Sequence, residues 1–115
     1  MTLLKLAAVV LLSSVACVAE SAAAGKWTCT NVSSTGMESS WTLVVKAEAA
    51  KLSGYLTDGS AEIPLSDLQS AKDKFDFRFF LNDKPYAFDG KIDGKNLEGA
   101  YSGEEAKGKL RCTKQ

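Results

Sequence analysis

The sequence predicts an all-β fold, a small antiparallel up-and-down barrel of seven or eight strands. Three observations carry that prediction. From Gly25 onward, apolar and polar residues alternate with a period of two. Turn residues break the alternation about every ten positions, the spacing of short strands joined by hairpins. Cys29 and Cys112 stand near the two ends of the alternating stretch, where a bridge would tie the first strand to the last.

The elements follow in order. Residues 1–24 read as an export signal, which leaves residues 25–115 as a single domain. Lys5 is a short positive head, and Leu6 to Leu12 form an unbroken apolar run. Small residues then offer cleavage after Ala19, in Cys17-Val18-Ala19, or after Ala24, in Ala22-Ala23-Ala24. The apolar run is shorter than the roughly 20 residues that a membrane-spanning helix needs, so no transmembrane segment is expected in the mature chain.

In the first strand Trp27 and Cys29 share a face. Ser33 to Ser40 make a polar loop, and Trp41, Leu43 and Val45 line one face of the second strand. Leu52, Gly54 and Leu56 form the third, and Asp58-Gly59 is a hairpin signal. Ala61 and Ile63 begin a fourth, which Pro64 is expected to end because it lacks an amide for the ladder. Ser66-Asp67-Leu68-Gln69 matches a capping box, so a short helical turn is expected near 66–72. Phe75, Phe77, Phe79 and Leu81 make the clearest strand, with Asp76 and Arg78 opposite. Asn82-Asp83-Lys84-Pro85 turns the chain into Tyr86, Phe88, Gly90 and Ile92. Asp93-Gly94 predicts a type I′ hairpin before Leu97, Gly99 and Tyr101, and Leu110 with Cys112 closes the chain. A Leu-x-Gly core recurs in Leu52-Ser53-Gly54 and Leu97-Glu98-Gly99. Pairing the first strand with the last would remove the edges that invite aggregation.

Composition narrows the function. Either cleavage discards Cys17 and leaves two cysteines in a compartment where disulfides persist. Cys29 and Cys112 are therefore expected to pair. Lys5 and Glu20 fall in the first 24 residues, so 13 basic and 13 acidic side chains remain of 14 each. The signs are interspersed, which excludes a nucleic-acid surface and an acidic tail. There is no histidine, which removes the commonest general base and metal ligand. Asp76, Asp89, Asp93, Glu98, Glu104 and Glu105 alternate with lysines or lie in turns, as solvated carboxylates do. No enzyme, no metal and no cofactor is expected, and a monomer is.

Two resemblances enter on particular residues. Ser14-Val15-Ala16-Cys17 resembles the lipobox of bacterial lipoproteins, which implies an alternative in which Cys17 carries lipid and anchors the protein to a membrane. Gly25-Lys26-Trp27 resembles the Gly-x-Trp opening of calycin-type barrels: lipocalins, avidin-like proteins and bacterial lipocalin-like metalloprotease inhibitors. That resemblance implies an antiparallel barrel with a binding mouth at one end. It also implies a basic residue of the last strand packed on Trp27, for which Arg111 is the candidate. Regular alternation, however, points Arg111 away from the face that holds Cys112.

The expected function is a secreted or periplasmic binding module without catalysis, holding a hydrophobic small molecule. Trp27, Trp41, Phe77, Phe79 and Tyr101 are the candidate ligand residues, provided that they line a cavity and do not simply fill the barrel. The alternative is a protein-interaction module, such as an inhibitor of an extracytoplasmic hydrolase, acting through loops such as 33–40 or through its N-terminal segment. Asn31-Val32-Ser33 is a glycosylation sequon, with meaning only in a eukaryotic secretory pathway.

Overall fold

Eight strands follow one another in chain order: β1 (Gly25–Ser33), β2 (Glu38–Glu48), β3 (Lys51–Thr57), β4 (Glu62–Ala71), β5 (Lys74–Leu81), β6 (Lys84–Asp93), β7 (Asn96–Gly103) and β8 (Lys107–Lys114). This is a computed structural model that describes residues 22–115. Cys17, the apolar run at 6–12 and the cleavage position after Ala19 lie outside the described residues. Each strand pairs antiparallel with the next, and β1 pairs with β8, so the meander closes into a barrel.

The alternation does what its period requires. Trp27, Cys29, Leu43, Val45, Leu56, Ile63, Phe75, Phe77, Phe79, Tyr86, Phe88, Ile92, Leu97, Leu110 and Cys112 are all buried, and among the described residues no charged side chain is. Cys29 and Cys112 oppose each other directly across β1 and β8, with Cα atoms 4.0 Å apart, and form a disulfide inside the barrel.

The recurrent Leu-x-Gly core has a steric cause. A Cβ on Gly54 would lie 2.4 Å from the Val44 carbonyl oxygen, and one on Gly99 would lie 2.2 Å from that of Asp89. Both glycines follow a hairpin at the same end of the barrel, where the strand crosses close over its predecessor.

Three expectations need correction. No helical turn forms at 66–72, because β4 runs unbroken to Ala71. Leu65 opposes Phe79 and Ser70 opposes Phe75, so β4 carries one residue more than β5 over this stretch, with a register shift between Ser66 and Gln69. Asp67 takes the strain at φ 52°, a left-handed conformation that aspartate tolerates better than most residues. This bulge turns both Leu65 and Leu68 toward the core, and four residues of local preference cannot offset that burial or the cost of nucleating a helix.

Pro64 does not end β4. It ends the pairing with β3, which stops after three residue pairs at Tyr55 and Pro64, and the strand continues on β5 alone. The hairpin at 93–94 is shifted by one residue, since Asp93 pairs with Asn96 and the loop is Gly94-Lys95. Asp58-Gly59 does turn the chain, through a longer loop that Asp58 organises. Its carboxylate accepts from the Ser60 amide at 2.9 Å, the Ala61 amide at 3.0 Å and the Ser60 hydroxyl at 3.0 Å. Those bonds, the Ser60 amide first, hold its carboxyl below the ordinary aspartate range.

The turn from β2 to β3 carries no turn residues at all. Ala49 and Ala50 sit at φ 48° and 71°, the double positive φ of a type I′ hairpin. A residue with a Cβ pays about 1–2 kcal/mol for that conformation. Ala49→Asn with Ala50→Gly will therefore raise the unfolding free energy by about 1–2 kcal/mol. An unchanged or lower urea midpoint would refute this.

Candidate functional site

Strand direction assigns every inward residue to a height in the barrel. One end carries the tight turns at 49–50, 72–73 and 94–95 together with the start of β1 and the end of β8. The other carries the loops at 34–37, 58–61 and 104–106 and the turn at 82–83.

The first end is sealed. Ala23 is fully buried there, and its carbonyl accepts from Trp27 Nε1 at 2.9 Å. Lys114 Nζ donates to the Ala22 carbonyl at 2.9 Å and lies 5.1 Å from the centroid of the Trp27 ring. The basic residue on Trp27 is thus Lys114, its register partner on β8. Arg111 is exposed on the outer wall opposite Thr30 and Glu98, as alternation demands.

The second end is open. A cavity of about 110 Å³ enters the barrel there, lined by Trp41, Phe77, Phe79, Tyr86, Tyr101 and Asn31, together with Leu56, Ile63, Phe88 and Leu110, and with Leu81 and Ala106 beside the loops of the open end. The rings are organised among themselves. Phe79 stacks on Tyr86 at 5.3 Å between centroids, Tyr101 meets both edge-on at 6.5 and 6.3 Å, and Phe77 stacks on Phe88 at 4.7 Å. Such offset-stacked and edge-on pairs hold one another's geometry.

Of the five ligand candidates, Trp41, Phe77, Phe79 and Tyr101 meet in this cavity. Trp27 does not, being sealed beneath Ala23 at the opposite end. Tyr86, an inward aromatic of β6, and Asn31, which no sequence motif marks as a ligand residue, also line it. Tyr86 carries the same inward parity as Phe88, and Asn31 the same parity as Cys29, so both signals were in the alternation.

Asn31 is the polar feature of the site. Its Nδ2 donates to Ser39 Oγ at 3.2 Å, and the same hydroxyl accepts from Trp41 Nε1 at 3.0 Å. Its Oδ1 is buried without a hydrogen-bond partner. An orphaned acceptor costs about 1–3 kcal/mol, so Ser39 fixes Trp41 and Asn31 together at some expense to the fold. Attaching a glycan to the sequon would require this side chain to leave the barrel wall.

Outside the mouth, Lys84 and Glu105 form an exposed ion pair at 3.0 Å across the rim. Among the described residues no group of three or more His, Cys, Asp and Glu is placed to hold a metal ion. No protein-family model matches the chain, and no curated protein is significantly similar to it.

Proposed function

We propose that the protein is an extracytoplasmic binding module that performs no catalysis and holds a small apolar molecule in the open end of its barrel. The observation that carries this reading is a blind cup: an aromatic-lined cavity with one opening and a floor sealed by packed side chains. Aromatic rings that line such a cup gain free energy when an apolar ligand takes the place of water against them. The volume sets the ligand's size. An apolar cavity of about 150 Å³ takes a benzene molecule, so about 110 Å³ with an open rim suits one ring or a short chain.

The calycin resemblance gains two supports, the eight-stranded closed meander and a basic side chain over Trp27. The buried disulfide favours an oxidising compartment. Among the described residues no helix is long and apolar enough to cross a membrane.

One observation favours the interaction-module reading. Met37, in the loop between β1 and β2, is 73% exposed, and Phe80 on β5 is 63% exposed. In the closed strand order β5 lies across the barrel from β1 and β2, so the two side chains do not form one apolar patch. The cavity therefore remains the stronger basis.

Toluene titration tests the cup. Trp27 is sealed at the far end, so a fluorescence change reports Trp41. The expected result is saturable binding with a dissociation constant below about 1 mM, abolished by Ala106→Trp, which fills the rim from an exposed position. Absence of saturable binding, or binding that survives Ala106→Trp unchanged, would sink the proposal.

A further inference from the structure

Both cleavage options satisfy the small-x-small rule, so the leader itself does not choose between them. The folded barrel does, because it uses the residues that the second option removes. Ala23 is fully buried against the core, and its carbonyl is the acceptor for the indole N–H of a Trp27 that is itself fully buried. The Ala22 carbonyl receives Lys114 Nζ. Gly25 turns this segment beneath the barrel at φ 138°, a conformation defined only when a residue precedes it.

We infer that the mature protein keeps Ala22–Ala24, with export processing between Ala19 and Glu20 and not between Ala24 and Gly25. The inference rests on the export reading of residues 1–24. It moves the start of the domain from Gly25 to Glu20 and assigns Ala22–Ala24 the role of a plug. Hydrolysis after Ala24 would leave Trp27 Nε1 without its acceptor and open a hole where the Ala23 methyl packs. It would also create an α-ammonium at Gly25, beside a lysine: a Cβ on Gly25 would lie 3.0 Å from Lys114 Cε and 3.6 Å from Nζ. Two cations would then share a site that now holds one cation and two carbonyls.

The test is the intact mass and N-terminal sequence of the exported protein, made from the full chain in a bacterial host. Glu20 as the first residue is the expected result. A chain beginning at Gly25, or one beginning at a lipid-bearing Cys17, would overturn the inference. A full-length chain that stays in the cytosol would overturn the export reading beneath it, and a toluene titration of that same chain would still report on the cup.

Melting separates the plug from the processing. A protein beginning at Gly25 should melt about 5–15 °C below one beginning at Glu20, with Trp27 emission shifted to the red. Trp27→Phe, which removes the donor, should narrow that gap. Equal melting and equal emission for the two starts would show that Ala22–Ala24 is no plug.

Discussion

Replacing Cys29 and Cys112 together with alanine will lower the unfolding free energy by about 4.5 kcal/mol in the chain-entropy account of disulfides. The two residues are 83 apart in sequence and directly opposite in space, so the bond removes almost the largest loop that this chain can form. Small domains are typically stable by about 5–15 kcal/mol, and the variant will therefore approach the limit of folding at body temperature. Both sulfurs are buried, so their loss also leaves a small void between Trp27 and Leu110. Urea unfolding of the double variant, beside the wild type with and without reductant, checks the prediction. A loss below about 1 kcal/mol would mean that hydrogen bonding between β1 and β8 closes the barrel by itself.

Phe77→Ala will cost about 3–5 kcal/mol, the range for a large ring deleted from a packed core. Phe77 lies in a row with Phe75 and Phe79, at 5.5 and 6.0 Å between centroids, and stacks on Phe88. It also lines the cavity, so the same change enlarges the cup. Two-ring apolar probes that the wild type excludes should then bind, provided that the protein is assayed well below its lowered melting point. Tyr101→Ala makes the opposite comparison. Its ring is only half-buried at the wall, so toluene affinity should fall with a smaller loss of stability. If Phe77→Ala proves neutral in calorimetry, the aromatic row is not the core that its burial indicates.

The wall of the barrel was legible in the sequence because a strand obeys a period of two, and burial on one face selects it. The positions from Phe75 to Phe79 and from Tyr86 to Ile92 point inward as alternation requires. The departures share one cause, in that local signals were overruled by pairing. Ser66-Asp67-Leu68-Gln69 has the residues of a helix start, but its backbone is committed to β5, and a bulge is the cheaper way to keep Leu65 and Leu68 inside. Pro64 lacks the amide of a ladder residue, yet a strand with two neighbours can lose one and continue on the other. Ala49-Ala50 carries no turn residue, and its hairpin is imposed by the pairing of Glu48 with Lys51.

The candidate site was legible only in part, because parity tells inside from outside and says nothing of height. Trp27 and Trp41 both point inward, but β1 and β2 run in opposite directions, so one tryptophan seals the floor and the other lines the mouth. Lys114 could be preferred to Arg111 only once Trp27 had a register partner on β8. That partner depends on closure between the chain's two ends, the contact longest in sequence. Asn31 was legible in parity but hidden by its sequon, a motif whose meaning depends on exposure.

The disulfide has a further consequence, for the topology of the covalent molecule. From Cys29 to Cys112 the backbone and the Sγ–Sγ bond form a single closed ring that contains all seven connections between the eight strands. A protease that cuts any one of these connections opens the ring without dividing it. The nicked protein remains one molecule, with every strand still paired to two neighbours, the β3–β4 seam being the shortest. A first cut between Cys29 and Cys112 therefore leaves the chain in one covalent piece, and only a second cut or a reductant frees a fragment.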